Sequence, residues 1–271
     1  TSDGCAIVVA GLGLSARDEI VTTTDEHFGL LGALGASPAR IVVVPPEPER
    51  IVAAVGPRTR LIAISQVLWT TGDTLPVAEI RASTGIPLLV DGAQSVGAIP
   101  VAADGIDFLT VSGQKWLCGP DATGALVVAE PDTLPVARPS YFSQVAYEPD
   151  GSFTPREGAQ RFEPNWIQAG SLAALATAIR ERPEWAFARA ARQAARVREL
   201  LPPVPVDVAG VPRPSTLVSF RPRTAAAEVV AALARAGVVV REIPRTGLVR
   251  VSVGWWTSDD DLDRLVAIVA A

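Results

Sequence analysis

Lysine is almost missing from this chain: of 24 basic residues, 23 are arginine and one, Lys115, is not. A guanidinium stays protonated and cannot form a Schiff base, so Lys115 is left as the single side-chain amine able to act as nucleophile or base. Histidine is as scarce, with His27 alone, and there are two cysteines, Cys5 and Cys118. Neither a zinc-type ligand set nor a disulfide scaffold can be built from these, and metal catalysis is not expected. Methionine is absent, so there is no native start and the chain is expected to begin part-way into its gene. The skew toward arginine, alanine and proline reads as genome-wide codon bias more than adaptation. Long apolar runs are lacking too. The longest clear one, Ala169 to Ile179, is too short for a bilayer, and no charged-then-apolar targeting segment opens the chain. A cytoplasmic protein with no membrane partner is expected. A net charge of −5, a pI near 5.1 and arginines scattered among acids argue against nucleic acid, leaving small molecules as partners.

What is present is a chain of 271 residues with 48% hydrophobic content, enough for a large core in one or two domains. Short β-rich runs recur at Glu19–Thr23, Arg40–Val44, Arg60–Ser65, Pro87–Asp91, Asp107–Val111 and Gly124–Val128, with helix-like stretches at Glu47–Val55 and Pro76–Thr84 between some of them. Such alternation predicts an α/β fold with a mainly parallel, doubly wound sheet that binds ligands at the carboxyl ends of its strands. Ser65, Asp91 and Ser112 then share one rim. From residue 130 to Pro164 a Pro/Gly/Ser-rich stretch reads as a long loop, functional or packed on a partner. Helical periodicity returns over Ile167–Arg180 and Trp185–Leu201. The remainder reads β-α-β-β-α, from Thr216–Phe220 through Ala225–Ala236, Val238–Glu242 and Leu248–Val253 to Asp259–Val269. The expected division is a large domain over 1–184 and a small α+β domain over 185–271.

Asp91 closes an apolar strand and opens Asp91-Gly92-Ala93-Gln94. Alone it reads first as a helix N-cap. A second reading is a carboxylate that keeps a pyridine nitrogen protonated, and Lys115, 24 positions later at the end of the next strand, shifts the balance toward it. Around Lys115, Val111, Trp116, Leu117 and Cys118 are apolar, while Ser112 and Gln114 offer donors to a phosphate. Gly11-Leu12-Gly13 imitates a dinucleotide fingerprint, but no helix follows it and Asp25 arrives too early. The glycines instead end a helix starting near Asp3. His27, just past a strand, reads equally as a helix-start residue and as a flat ring able to stack on an aromatic cofactor. Trp69 reads more readily as core than as site. Arg250, inside the apolar strand Leu248–Val253, requires a carboxylate, from the protein or a ligand; Arg241 is a weaker second case.

Val90-Asp91-Gly92-Ala93-Gln94-Ser95, Ser112-Gly113-Gln114-Lys115-Trp116 with Gly119-Pro120, Arg161-Phe162-Glu163, and Arg250 ahead of an acid-rich last helix together resemble the class V aminotransferase superfamily of fold-type I pyridoxal phosphate enzymes. Within it, Asp25-Glu26-His27-Phe28-Gly29, Ser65-Gln66-Val67-Leu68-Trp69-Thr70-Thr71-Gly72 with Leu75-Pro76, and the Arg241/Arg250 pair look like the cysteine/cystine C–S lyases. The resemblance implies a three-layer large domain, a homodimer, and pyridoxal 5'-phosphate bound through a Schiff base on Lys115. It further implies that Asp91 meets the pyridinium nitrogen, Gln94 the ring hydroxyl and His27 the ring face. Ser112 and Gln114 would hold the phosphate with Thr1, Ser2 and Asp3 at a helix N-terminus. Arg250, with Arg241 and Trp69, would meet an amino-acid substrate. The implied reaction is β-elimination, with an aminotransferase, an epimerase or a non-catalytic truncated protein as alternatives. The chain departs from the pattern in four places: the family's longer N-terminal segment is missing, Gln114 stands where histidine is common, Asn165-Trp166 stands where Gly-Thr often reaches a partner's phosphate, and Glu242–Val249 lacks the cysteine that desulfurases carry.

Overall fold

The computed structural model describes every residue from Thr1 to Ala271 except Asn165 and Ile167. Helix α1 (Ser2–Gly11) leads into strand β1 (Glu19–Thr23), followed by α2 (Phe28–Gly35), β2 (Arg40–Val44), α3 (Pro48–Ala53), β3 (Thr59–Ser65), α4 (Val77–Thr84), β4 (Leu88–Asp91), β5 (Phe108–Ser112) and β6 (Gly124–Val128). These strands form one sheet in the order β2-β1-β3-β4-β5-β6, parallel throughout except for β6, which runs antiparallel to β5. Every residue of β1, β4 and β5 is buried, with successive side chains on opposite faces of the sheet. Ile20, Leu61, Ala63 and Leu89 join Cys5, Val8, Leu30 and Leu34 of α1 and α2 in one cluster. The intervening Val21, Ile62, Ile64, Leu88 and Val90 are equally buried, and α3 and α4 pack on β1 and β4. The result is the helix–sheet–helix layering expected of the fold.

The sequence reading missed α2, because Phe28-Gly29-Leu30-Leu31-Gly32-Ala33-Leu34-Gly35 carries three glycines that read as loop. It also took 130–164 as a loop. That stretch holds a hairpin, β7 (Gln144–Tyr147) with β8 (Phe153–Pro155), and 3-10 turns at Pro131–Thr133 and Gly158–Phe162. Arg161 donates to the carbonyl of Arg156 at 3.1 Å and pairs with Asp132, while Phe162 enters the α1/α2 core. Asn165, part of the replaced Gly-Thr, and Ile167, the expected helix start, lie outside the described residues; α5 runs Ala169–Arg180.

Contacts cluster the chain into two units. Residues 1–66, 75–96 and 102–181 form the first; residues 67–74, 97–101 and 182–271 form the second. In the second, α6 (Ala186–Leu200), α7 (Ala226–Arg235) and α8 (Asp259–Ala270) accompany an antiparallel sheet of β11 (Arg241–Ile243), β12 (Leu248–Ser252), β10 (Leu217–Pro222) and β9 (Val206–Val208), in that order. The short edge strand β9 was not anticipated. Ala194, Val197, Leu233, Leu262 and Leu265 from the helices pack with Val218, Phe220, Val249 and Val251 from the sheet. Among the described residues no helix is long and apolar enough to cross a membrane.

Candidate active site

In the first unit, β3, β4 and β5 end at Ser65, Asp91 and Ser112, and Ser65 pairs in register with Asp91. These residues share the carboxyl rim because parallel strands stop together. Asp91 is 4% exposed, and its Oδ1 accepts from the Ala93 backbone N–H at 2.9 Å. Gly92 N–H donates to the Thr110 carbonyl at 3.0 Å; a Cβ on Gly92 would stand 2.5 Å from that oxygen, so only glycine lets the Asp91 loop lie this close to β5.

Beyond Ser112 the chain turns back on itself. Gly113 N–H reaches the Thr123 carbonyl at 2.9 Å, Cys118 N–H the Lys115 carbonyl at 3.1 Å and Gly119 N–H the Gly113 carbonyl at 2.8 Å. Cys118 (φ 57°) and Ala122 (φ 61°) take the left-handed conformation, which non-glycine residues hold only where their surroundings impose it. Trp116 is buried, and its indole Nε1 donates to Gln94 Oε1 at 2.9 Å, tying the Lys115 turn to the Asp91 loop. Because the indole can only donate, the Gln94 oxygen is committed and its NH2 is the group left for other acceptors. Ser112 is buried, whereas Lys115, Gln114 and Cys118 are exposed. Of the apolar neighbours, Val111 and Trp116 are buried while Lys115 itself reaches the surface.

Thr1 is the N-cap of α1 and makes no side-chain cap hydrogen bond; Cys5 N–H to Thr1 O, at 2.9 Å, is the first bond of the helix. The first-turn N–H groups at Ser2, Asp3 and Gly4 thus point out of the helix end, as α-helical geometry requires. The same corner holds Gly29, where a Cβ would sit 2.9 Å from Ser2 Oγ and 3.3 Å from His27 Nδ1. His27 is exposed and N-caps α2, its Nδ1 accepting from Gly29 N–H at 3.1 Å. The helix-start reading of His27 is what the structure shows. It assigns Nδ1 as an acceptor.

Sequence reasoning missed Glu26. Its carboxylate is 5% exposed and accepts from Thr23 Oγ1 at 2.7 Å, Ser65 N–H at 3.0 Å and Ser65 Oγ at 2.6 Å. Burial, with the charge of Asp91 added, pushes it up to about 7 against the pull of those three donors. Burial and Asp91 likewise push the Cys5 thiol up to about 12. An acid directly before a lone histidine at a strand end was the available signal.

In the second unit Arg250 is 9% exposed and donates from Nη1 to the Trp69 carbonyl at 2.8 Å; among the described residues its Nε has no partner. Arg241 is exposed and directly opposite it on β11. Burial first, then Arg241, pushes Arg250 down to about 10. Among the described residues no protein carboxylate, which the sequence reading allowed as a partner, hydrogen-bonds or ion-pairs with it. Trp69 enters through its backbone oxygen, in a turn closed by Leu68 N–H to Asp73 O at 2.8 Å and Gly72 N–H to Leu68 O at 2.9 Å.

The family model described as Aminotransferase class-V matches residues 1–265. Isopenicillin N epimerase of Streptomyces clavuligerus is 30% identical over 304 residues, covering 96% of this chain and 75% of the relative. A cysteine desulfurase of Enterobacter sp. (strain 638) is 33% identical over 202 residues, which is 66% of this chain and 49% of the relative. Among solved structures, a mutant of C-DES with glycine covalently linked to the PLP cofactor superposes with a TM-score of 0.88 at 27% identity, covering 99% of this chain and 78% of that one. The cystine C–S lyase C-DES in complex with its reaction product cysteine persulfide gives 0.85 at 26%, covering 99% and 79%. The chain therefore belongs to the class V aminotransferase family, whose members are fold-type I enzymes dependent on pyridoxal phosphate.

Proposed function

We propose that the protein is a pyridoxal phosphate β-lyase acting on an L-cysteine-like or cystine-like amino acid. The residues present fit the cofactor. The first unit offers an amine, a buried carboxylate, an amide whose oxygen already accepts from Trp116, and a helix end whose first-turn N–H groups have no acceptor among the described residues, and Gly29 leaves room beside that helix end. When bound, pyridoxal phosphate supplies an electron sink for charge developed at the substrate Cα. Lys115 would hold its aldehyde carbon. Asp91 would keep a proton on its ring nitrogen, Gln94 would donate to its ring oxygen and His27 would lie against its face. Thr1, Ser2 and Asp3 at the α1 N-terminus, with Ser112 and Gln114, would bind the phosphate.

With an amino-acid substrate bound, Lys115 Nζ would accept the Cα proton and a β-thiolate or persulfide would leave. Arg250, helped by Arg241 and with Trp69 beside it, binds the substrate carboxylate; a buried guanidinium whose Nε lacks a partner is the observation that carries this assignment. Likeness to the cystine C–S lyase over 99% of the chain supports elimination, and Glu242–Val249 has no cysteine to accept a persulfide. Homodimerisation and a cytoplasmic location belong to the same proposal.

A second reading, epimerisation, is favoured by the Streptomyces relative. The same residues labilise the same proton, and the outcome depends on where it returns. Incubation of the holoenzyme with L-cystine and L-cysteine, without an amino acceptor, tests the choice: pyruvate and ammonia released in equal amounts support the lyase. Loss of optical activity or exchange of the Cα proton into D2O with no pyruvate would replace it by the epimerase.

A further inference from the structure

The Glu26 carboxylate plays no part in the chemistry just described, yet it is the most thoroughly anchored charge on the rim. One oxygen takes both the N–H and the Oγ of Ser65; the other takes Thr23 Oγ1, which in turn accepts from Asp25 N–H at 3.3 Å. Three elements meet through it: the end of β1, the loop that delivers His27, and the end of β3. Ser65 is also the register partner of Asp91, and Gln66 N–H donates to the Asp91 carbonyl at 3.3 Å. A medium-length acid at the sheet edge would ordinarily reach water, so an acid held inside by three donors specifies a geometry.

We propose that Glu26 is a positioning residue of this site, locking the His27 loop to the β3 end and placing a second carboxylate behind Asp91 that strengthens its hold on a protonated ring nitrogen. The proposal rests on the reading of Asp91 as the nitrogen's partner. Asp91 on β4 is the charged group whose field Glu26 feels; Asp25 and His27 flank it in the chain, Thr23 and Ser65 cap it, and Cys5 on α1, against Thr110, feels the charge of Asp91 as well. Two negative charges stacked behind a cationic ring favour the protonated ring more than one does. Being raised toward neutrality, Glu26 is charged above that range and supplies its field there.

The test is titration of the full-length apoprotein with pyridoxal phosphate at pH 8, followed by absorbance, together with the pH at which the bound cofactor's visible band changes. Glu26→Gln keeps the size and removes the charge; Glu26→Asp keeps the charge but is too short to span Thr23 and Ser65. Glu26→Gln is expected to bind the cofactor about tenfold more weakly and to move the band transition down by about one pH unit. Glu26→Asp is expected to lose affinity while keeping the transition near its wild-type pH. Circular dichroism of each apoprotein reports folding. Wild-type affinity and an unmoved transition in a folded Glu26→Gln overturn the proposal and leave the reading of Asp91 standing. If Glu26→Gln does not fold, unchanged affinity in Glu26→Asp overturns it instead. A wild-type protein that binds no pyridoxal phosphate overturns both.

Discussion

Two buried charges, one in each unit, are housed in opposite ways. Glu26 has a donor for each oxygen and a second for one of them, all from its own unit. Arg250 has one carbonyl for its five N–H donors, an Nε with no partner among the described residues, and a second arginine across the strand pair. Both pay desolvation: Glu26 rises from 4.5 to about 7 and Arg250 falls from 12.5 to about 10. Each is worth roughly 3 kcal/mol against the folded state where the group is charged. A charge satisfied internally serves architecture. A charge left short of acceptors, at that expense, is what the proposed substrate carboxylate would meet.

The largest effect expected from that contrast is at Arg250. Arg250→Met should lower kcat/KM for the amino-acid substrate about 300-fold, as losing a charge-assisted, two-pronged contact implies, while leaving the apoprotein as stable or about 1–2 kcal/mol more stable in urea. A substantial loss of stability would instead make Arg250 structural and break the comparison. Glu26 predicts a pH signature. Its folded value lies above its unfolded one, so the native state holds the extra proton between about 4.5 and 7. Stability should therefore fall as pH rises through that window and level off above it, by roughly 3 kcal/mol in all. Glu26→Gln should flatten that contribution in urea melts at pH 5 and pH 8. A smaller change is expected at Arg241, which is exposed: Arg241→Ala should raise KM about three- to tenfold with kcat little altered. Smallest of all, Trp116→Phe deletes one bond to Gln94, worth about 1 kcal/mol, and should weaken cofactor binding about fivefold by absorbance titration.

Much of this was legible from residue order. The bounds of β1, β2 and β6 match the β-rich runs because runs of β-branched and apolar residues stand out between turn residues, in the fully buried β1 and equally in the more exposed edges β2 and β6. Ser65, Asp91 and Ser112 could be placed on one rim because parallel strands end together, while Lys115 lies in the turn beyond β5. What was not legible depended on tertiary surroundings. Three glycines in α2 hide a helix that is stabilised by Leu30 and Leu34 in the core. The β7–β8 hairpin is short, and β9 is a three-residue edge. Glu26 looks like any surface acid until Thr23 and Ser65 close around it. The exposure of Lys115 ran against its apolar neighbours, because Trp116 turns inward to Gln94 while the lysine turns out.

The central claim is that Lys115 carries the cofactor. Borohydride reduction of the protein saturated with pyridoxal phosphate, followed by peptide mapping, should place one pyridoxyl group on the peptide containing Lys115 and none on the Lys115→Ala protein. A wild-type protein that takes up no label at Lys115 would contradict the account.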